Sequence, residues 1–340
     1  MYSSLEESGL LKVLTFLQTH NTEYLSGQDL SDVLKISRVA VWKQIKKIQE
    51  LGYNVESKQK MGYKLVSNSD LPLPWEITAS LKTKKIGRRV FYFENTDSTQ
   101  NEAKKIAHEP LNDGAVIVTT KQTDGKGRSG RKWILPKGGV GFSVILKPDF
   151  GIAMTTLFPI GVSVALSNAI EKLFVIKPEL KWPNDITIKS KKVAGILVDA
   201  AFESNRIEHL ILGIGINFDI DIKKIEKQLS QTPNFYGITS LSQHSKKKVR
   251  QVELIQTFLF ELEKIYELFN KGKTQKIISD WTERSSTIGK NVEMNSTKEE
   301  IAGKAIKIDE DGGLIVSKGN GKTSKIVKEN LKKSMKKMPK

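Results

Sequence analysis

The sequence contains no cysteine among its 340 residues. This absence excludes a disulfide framework, a thiolate zinc or iron–sulfur site and a cysteine nucleophile. A cysteine-free chain suits a reducing compartment, and the first residues lack the basic, apolar and cleavable pattern of a signal peptide, so we expect a cytoplasmic protein. Histidine is also scarce: four residues without His-x-x-x-His or Glu-x-x-His spacing argue against a metal cage and a Ser–His triad.

Only residues 150–170 form an uncharged run close to the roughly 20 residues that span a bilayer. Threonine, serine, asparagine and Pro159 interrupt this run, so we predict a buried helix and no membrane partner. The chain is 38% hydrophobic and 27% charged, which is ordinary for a globular protein and excludes a disordered or collagen-like chain. The length suggests two or three folded domains.

Acidic residues are too few to balance the basic ones, and the net charge is +17. Lys35–Lys64 contains eight Lys or Arg against two Glu, and Lys318–Lys340 contains nine Lys against one Glu. A basic segment near the N-terminus favours a polyanionic partner, because binding such a partner releases condensed counterions. We interpret the C-terminal run as a solvated tail.

Residues 1–66 are predicted to form a separate winged helix-turn-helix unit. Three helices and then a strand pair are expected near Leu10–Gln18, Gly27–Leu34, Ser37–Leu51 and within Tyr53–Val66. In the third helix, Val41, Ile45 and Ile48 repeat at i, i+4 and i+7, so they form one apolar face and the lysines point the other way. We interpret Trp42 as a packing residue.

Such a unit binds DNA with its third helix in the major groove and the turn between its strands against the backbone. The expected contacts come from the helix start, its cationic face and that turn: Ser37, Arg38, Lys43, Lys46, Lys47, Lys58 and Lys60. A winged helix that mediates only protein contacts remains an alternative.

Two further units are predicted after a polar, proline-bearing linker at Ser67–Pro74. The following 210 or so residues alternate strand-like and helix-like runs, which is typical of an α/β or α+β domain. From about Asn291 the pattern changes to short strands with Asp-Gly and Gly-Asn turns, which is typical of a small β-barrel. We therefore expect domains at residues 1–66, 67–285 and 286–340.

The glycine-rich segment Lys121–Trp133 lies between two predicted strands. Its glycines alternate with cationic residues, in the order Gly125, Lys126, Gly127, Arg128, Gly130 and Arg131. The backbone can approach a ligand closely there while positive side chains converge on negative charge. The segment runs into a strand and lacks Gly-Lys-Ser/Thr, so it is neither a Walker A nor a Rossmann loop. Trp133 offers a stacking face for a purine, although an ordinary surface loop stays possible.

Three shorter motifs are less specific on their own. Lys181–Asp185 (KWPND) places a lysine beside an amide and a carboxylate on a proline-rigidified turn, and its alternative is a plain strand-end turn. Gly213–Asn217 (GIGIN) allows close backbone approach, and its Asn could read an adenine edge. Asp97–Thr99 (DST) precedes a helix, where Thr99 and Glu102 have the spacing of a capping box.

A basic glycine loop and a positioned lysine suit attack by an ionised carboxylate on the α-phosphate of a nucleotide. This nucleophile needs no general base. The obstacle is repulsion between two anions, so Lys, Arg and Mg²⁺ would accelerate the reaction by neutralising and aligning them.

Taken together, the winged-helix segment, DST, the loop pattern Q-x-x-G-x-G-R-x-G-R-x-W, KWPND and GIGIN resemble the bifunctional biotin protein ligase and biotin-operon repressor family over nearly the whole chain. The resemblance implies an α+β multidomain fold. This fold has an N-terminal winged helix-turn-helix, a central domain similar to class II aminoacyl-tRNA synthetases and a C-terminal SH3-like β-barrel.

The resemblance also implies an activity. Biotin and ATP, with Mg²⁺ accompanying the ATP, would form biotinyl-5′-AMP, and the biotinyl group would pass to a lysine of the biotin carboxyl carrier protein of acetyl-CoA carboxylase. The adenylate would also act as corepressor, favouring a homodimer that binds operator DNA of the biotin operon.

Site residues follow from the same resemblance. The residues implied to bind biotin are Ser98, Thr99, Gln100, Gln122, Lys126, Gly127, Arg128, Lys181 and Gly195. The residues implied to bind the nucleotide are Arg128, Arg131, Trp133, Asn184 and Asn217. Lys181, Arg128 and Arg131 are the implied catalytic residues. No metal site fixed by the protein alone is implied.

The chain departs from the family pattern at three places. Lys126 stands where the family usually has Arg, and Gln100 stands where it usually has Asn. The segment KENLKKS at residues 328–334 lacks the usual Gly-Glu and final Arg.

Three alternatives remain beside a ligase that is also a repressor. They are a ligase whose winged helix does not read DNA, a biotin-sensing transcription factor without ligase activity, and a lipoate ligase, which shares the catalytic fold. KWPND and the arginine-containing glycine loop favour biotin over lipoate.

Overall fold

The computed structural model describes residues 2–3, 8–231, 235–295, 300–318 and 322–327. Its N-terminal part has the predicted helices and strand pair. The elements are strand β1 (Tyr2–Ser3), helices α1 (Gly9–Thr19), α2 (Gly27–Leu34) and α3 (Arg38–Glu50), and strands β2 (Asn54–Lys58) and β3 (Gly62–Ser67). Strands β2 and β3 pair antiparallel to form the wing. Ser37 caps α3 by accepting a hydrogen bond from the backbone N–H of Ala40 at 3.1 Å.

Helix α3 packs with the face that the sequence predicts. Its three buried residues are Val41, Ile45 and Ile48, while Lys43, Lys46 and Lys47 are exposed. The interpretation of Trp42 as a packing residue is wrong, since 51% of this residue is exposed. One position beyond Val41, a helix has turned by about 100°, so Trp42 lies off the core face beside Val39, which is also exposed.

The central part of the chain is built on one sheet. Its elements are α4 (Pro74–Ala79), β4 (Val90–Phe93), α5 (Thr99–Ile106), β5 (Val116–Thr119), β6 (Val140–Leu146), α6 (Phe158–Phe174), β7 (Glu179–Lys181), β8 (Asp185–Ile188), β9 (Lys191–Glu203), β10 (Arg206–Ile216), α7 (Ile222–Leu229), α8 (Gln251–Asn270) and α9 (Thr274–Glu283). The eight strands have the order β1-β4-β5-β6-β10-β9-β8-β7, and β4 and β5 form the parallel pair. This mixture of helices and a mainly antiparallel sheet confirms the predicted α+β class.

Helices cover the two faces of this sheet differently. Side chains alternate along a strand, so Val116 and Val118 of β5 point into the large core that contains α6 and α8. Ile117, between them, points to the opposite face, where α5 packs with Ala103 and with Ala107, the residue after its last turn. Of the buried helix predicted at residues 150–170, the structure forms α6, which begins only at Phe158, ends at Phe174 and is largely buried. Within the described ranges, no helix is long and apolar enough to cross a membrane.

The C-terminal part forms a second sheet. Strands β11 (Asn291–Asn295), β12 (Glu300–Ile308), β13 (Leu314–Ser317) and β14 (Thr323–Ile326) pair in sequence order and antiparallel. Trp182, between β7 and β8, contacts this region: its indole N–H donates to the carbonyl of Gly312 at 3.2 Å, and its backbone N–H donates to Thr287 Oγ1 at 2.9 Å. The C-terminal part therefore supports the β7–β8 turn. Residues 328–334, which carry KENLKKS, lie outside the described ranges.

Two connections hold the winged helix against the central part. The first is β1, which pairs with the outer strand β4 of the central sheet. The second is a buried hydrogen-bond network centred on Glu76, which is 8% exposed. The Tyr53 hydroxyl donates to Glu76 Oε1 at 2.7 Å, the Arg250 guanidinium donates to Oε2 at 2.8 Å, and the Trp75 indole donates to the Tyr53 hydroxyl at 2.6 Å. Burial, and then the bond to Glu76, raises the pKa of Tyr53, so its hydroxyl remains a donor.

We expect Glu76→Ala to lower the free energy of unfolding by about 3 kcal/mol, because it leaves a buried hydroxyl and part of a guanidinium without their acceptor. Tyr53→Phe, which removes only one hydroxyl, should cost about 1 kcal/mol. Urea unfolding of the full chain measures both values. Equal effects of the two variants would show that Glu76 does not hold the network together.

Candidate functional site

A cavity of about 440 Å³ lies on the α5 side of the sheet, above a row of glycines. Gly141 of β6, Gly215 of β10 and Gly195 of β9 stand side by side in the strand register. The same row continues to Asp185 of β8 and Lys181 of β7. Residues paired across strands point to the same face, so the sheet offers bare backbone in the centre of the row and charged side chains at its end.

The indole of Trp133 lies on this glycine floor. A Cβ atom at Gly215 would lie 2.2 Å from the Trp133 ring, and one at Gly195 would lie 3.0 Å from it. Any larger residue at Gly215 would therefore displace the indole. Trp133 Nε1 is enclosed and has no hydrogen-bond partner among the described residues.

Neutral polar groups line one end of the cavity. The backbone N–H of Thr99 donates to Gln122 Oε1 at 2.8 Å. The Ser143 hydroxyl lies 2.8 Å from Thr99 Oγ1 and 2.7 Å from Gln100 Oε1. A Cβ atom at Gly213 would lie 3.0 Å from Gln100 Oε1, so this glycine makes room for the Gln100 side chain. This end can recognise an uncharged, hydrogen-bonding group.

The DST segment lies at this end, as the resemblance implies, but it caps α5 differently from the sequence prediction. The N-cap of α5 is Ser98, whose hydroxyl accepts from the backbone N–H of Gln100 at 3.2 Å. The predicted capping box between Thr99 and Glu102 is wrong, because Glu102 accepts from the Thr96 hydroxyl at 3.0 Å instead. With the capping done by Ser98, the Thr99 side chain faces the cavity.

The glycine loop folds back on itself at the edge of the cavity. The backbone N–H of Gly127 donates to the carbonyl of Arg131 at 2.7 Å, and that of Trp133 donates to the carbonyl of Gly125 at 2.7 Å. Arg128 Nη1 donates to Asn184 Oδ1 at 3.0 Å. The loop and the KWPND turn therefore meet directly, although 56 residues separate these two side chains.

The charged end of the glycine row is an interconnected cluster. Lys192 Nζ lies 2.6 Å from Asp185 Oδ1, and the Tyr236 hydroxyl donates to Asp185 Oδ2 at 2.7 Å. Lys181 Nζ lies 3.2 Å from the centroid of the Tyr236 ring. Lys192 Nζ also lies 5.4 Å from the Trp133 ring.

The pKa values in this cluster follow from burial and charge. Burial raises the pKa of Asp185, but the attraction of Lys192 and the hydrogen bonds from Lys192 and Tyr236 outweigh it, so the pKa lies below its usual range and the carboxylate is ionised. Burial, and then the charge of Asp185, raises the pKa of Tyr236 well above its ordinary value. The Tyr236 hydroxyl therefore remains a donor.

Positive charge dominates the described lining of the cavity. The cationic lining residues are Lys126, Arg128, Arg131, Lys132 and Lys192, and the acidic one is Asp185. An anionic ligand would be attracted to such a lining, more strongly than in water because the walls are partly apolar. Across from the glycine loop, Ile225 and Leu229 of α7 and Phe235 form an apolar wall.

Most of the residues predicted to bind a ligand lie together around this cavity. They are Ser98, Thr99, Gln100, Gln122, Lys126, Gly127, Arg128, Arg131, Trp133, Asn184, Gly195 and Asn217. Lys181 does not line the cavity directly, since its ammonium lies on the ring of Tyr236, which does. The amide of Asn184 is already engaged, because it accepts from Arg128 and donates to the carbonyl of Ile196.

Sequence reasoning did not assign roles to several lining residues. Lys192 belongs to a segment next to KWPND, so its proximity was a usable signal. The wall of α7 and Tyr236 carry no motif, and only the chain path brings them to the cavity. Ser143 also carries no motif, and it supports the cavity from behind through its hydrogen bonds to Thr99 and Gln100. In the described part of the chain, no group of three His, Asp or Glu side chains could hold a metal ion.

Comparisons with known proteins cover the same regions. A model of the Biotin/lipoate A/B protein ligase family matches residues 92–217, an HTH domain model matches residues 10–64, and a Biotin protein ligase C terminal domain model matches residues 287–329. The Bifunctional ligase/repressor BirA of Bacillus subtilis is 34% identical over 307 residues, which is 90% of this chain and 93% of that protein.

Two further similarities extend over most of the chain. The Bifunctional ligase/repressor BirA of Escherichia coli is 27% identical over 90% of this chain and 91% of that protein. Among solved structures, the biotin protein ligase from Aquifex aeolicus in complex with biotin and ATP matches with a TM-score of 0.61 and 25% identity. That match covers 74% of this chain and 100% of the other chain.

Proposed function

The chain belongs to the family of bifunctional biotin ligase/repressor proteins, and we propose that its glycine-floored cavity is where biotin and ATP react. The protein is a biotin protein ligase that also carries the DNA-binding domain of a repressor. In the first step a carboxylate oxygen of biotin attacks the α-phosphorus of ATP, the bond to pyrophosphate breaks, and biotinyl-5′-AMP forms. In the second step a lysine amine of the acceptor attacks the acyl carbon, AMP leaves with the bonding electrons, and the amine gives up a proton.

The observation that carries this proposal is the meeting of the two cationic motifs at one cavity. Arg128 of the glycine loop contacts Asn184 of the KWPND turn at 3.0 Å, so both motifs border the same space. Five cations and one carboxylate line the described cavity. Two anionic reactants repel each other. Fixed positive side chains in a partly dry site lower that repulsion, and they do not have to reorient during the reaction.

The polarity of the lining suggests how the reactants lie. We place the uncharged ring of biotin against Ser98, Thr99 and Gln122, because these groups supply neutral hydrogen-bond partners. Its carboxylate then points toward Arg128 and Lys181. The adenine lies between Trp133 and the apolar wall of α7, near Asn217.

Arg128, Arg131 and Lys181 are the proposed catalytic residues. Arg128 and Arg131 would contact phosphate oxygens, and Lys181 would contact the biotin carboxylate and the α-phosphate. Mg²⁺ would arrive with the phosphates of ATP. The ion would supply additional neutralisation of the phosphate charge.

The acceptor is proposed to be the biotin carboxyl carrier protein of acetyl-CoA carboxylase, and the reaction is placed in the cytoplasm. Incubation of the purified protein with biotin, ATP, Mg²⁺ and the carrier domain tests this reaction. We expect biotinylated carrier and one pyrophosphate per biotin transferred, and much less product when lipoate replaces biotin. A protein that binds biotin but releases no pyrophosphate would be a sensor rather than a ligase.

For the repressor activity, we propose that a homodimer favoured by biotinyl-5′-AMP binds operator DNA. The third helix would enter the major groove through its exposed residues, and the wing would contact the backbone. A groove between these elements is lined by Arg38, Val39, Trp42, Lys58 and Lys60, so it combines positive charge with apolar surface that could meet thymine methyl groups.

We expect replacement of Lys43, Lys46 and Lys47 by Ala to weaken operator binding and to flatten its dependence on salt, because fewer phosphate counterions are released. The ligase rate should not change. Gel shifts at several salt concentrations with biotinyl-5′-AMP measure this effect. Replacement of the exposed residues Lys246, Lys247 and Lys248 is the matched control, since it removes the same charge elsewhere. Equal weakening by both triple variants would argue against a specific DNA-binding helix.

A further inference from the structure

Tyr236 contacts both ends of the KWPND turn. Its ring lies under the ammonium of Lys181, with 3.2 Å between Nζ and the ring centroid. Its hydroxyl donates to Asp185 Oδ2 at 2.7 Å, and Lys192 holds the other oxygen of this carboxylate at 2.6 Å. Lys181 and Asp185 are cross-strand partners of β7 and β8, so one tyrosine fixes the charged end of the glycine row.

The position of the ring matters for access to Lys181. Tyr236 lines the cavity, whereas Lys181 does not. The ring of Tyr236 is therefore part of the cavity wall, and the Lys181 ammonium rests on its face without lining the cavity. An anion in the cavity can contact Lys181 only after the lysine moves toward it.

We propose that Tyr236 is a positioning residue that acts through Lys181. Its ring binds the ammonium in the ligand-free protein, and the ammonium leaves the ring when it binds the biotin carboxylate and the α-phosphate. This inference rests on the proposed function, which assigns Lys181 to the biotin carboxylate and the α-phosphate. It adds a residue from outside the four sequence motifs.

An aromatic ring is well suited to this task. The face of a ring attracts an ammonium without neutralising its charge. A carboxylate or phosphate oxygen forms a charge-assisted hydrogen bond, which is stronger, so an anion can take the lysine from the ring. A neutral ligand has no comparable interaction and leaves the pair intact. The ring therefore adds a requirement for negative charge at this position.

The change Tyr236→Leu tests the proposal because it removes the ring and keeps an apolar side chain. We expect the affinity for biotinol-5′-AMP, a stable analogue that keeps the phosphate, to increase between about twofold and about thirtyfold, since the ligand no longer competes with the cation–π contact. Affinity for the uncharged methyl ester of biotin should not change. Tyr236→Phe keeps the ring and loses only the hydroxyl bond to Asp185, so its affinity for the analogue should change much less than that of Tyr236→Leu. Calorimetric titration measures all three, and thermal unfolding verifies that each variant folds.

The variant Lys181→Ala distinguishes a failure of the role proposed for Tyr236 from a failure of the role proposed for Lys181. It should weaken binding of the analogue, and in its background Tyr236→Leu should no longer change the affinity. Suppose that Tyr236→Leu binds the analogue no more tightly than the unmodified protein, while Lys181→Ala still weakens binding. This result would contradict the role proposed for the Tyr236 ring but not the proposed function. Unchanged binding by Lys181→Ala would instead overturn the assignment of Lys181 to the ligand.

Discussion

Replacement of Lys181 by alanine is expected to slow the formation of biotinyl-5′-AMP by about a hundredfold to a thousandfold, the usual effect of losing one preorganised donor at a developing negative charge. The loss is large because the lysine serves two anions at once and the site is partly closed to water. Water that replaced the ammonium would have to reorganise during the reaction. Pyrophosphate release in a single turnover, with biotin and ATP both saturating, measures this step without the carrier protein.

Controls distinguish a catalytic loss from a folding defect. Lys177→Ala removes an exposed lysine just before β7 and should react like the unmodified protein. Lys181→Arg keeps the charge but loses the compact ammonium, so we expect an intermediate rate. A Lys181→Ala protein that folds normally and releases pyrophosphate at a near-normal rate would contradict the role proposed for this lysine.

The second large effect is expected for Gly215→Ala. The added Cβ would lie 2.2 Å from the Trp133 ring, far inside van der Waals contact, so the indole has to leave the glycine floor. Overpacking of this kind typically costs 1–3 kcal/mol. Because Trp133 is proposed to contact the adenine, we expect this displacement of the indole to lower kcat/KM for ATP by about tenfold to a hundredfold.

Two further alanine variants serve as references for Gly215→Ala. Gly195→Ala places its Cβ 3.0 Å from the same ring, so it should reduce kcat/KM less than Gly215→Ala does. Gly151→Ala meets no atom within 4 Å and should change nothing. Steady-state kinetics at varied ATP give the comparison. Equal kcat/KM values for Gly215→Ala and Gly151→Ala would show that the position of the Trp133 indole on the glycine floor does not matter for the reaction with ATP.

Sequence patterns predicted those features of the fold that depend on interactions between residues close together in the chain, such as the ends of a helix. Helix α3 was placed within one residue at each end, because its apolar spacing and the cap at Ser37 both act within the helix. The same local view failed for Trp42, where the direction of the core, rather than the residue type, decides exposure. It failed again at the start of α5, where two hydroxyl residues in a row compete for one cap and the sequence gives no basis for choosing Ser98.

The candidate site shows the same division. The glycine loop and KWPND could be recognised as anion-binding segments from their residue types. Their meeting through Arg128 and Asn184 depends on the strand order β10-β9-β8-β7, which sequence periodicity does not encode. Tyr236 shows the limit most clearly, because it follows α7 in a stretch without a motif and only the chain path brings it to Lys181.

The most direct test of convergent positive charge at the reacting centre is a crystal structure of the protein with biotinyl-5′-AMP bound. We expect phosphate oxygens within about 3.2 Å of both the Arg128 guanidinium and the Lys181 ammonium, which is hydrogen-bond distance, and the biotin ring against Ser98 and Gln122. A phosphate held elsewhere, with the Lys181 ammonium still on the ring of Tyr236, would contradict this role for the two cations.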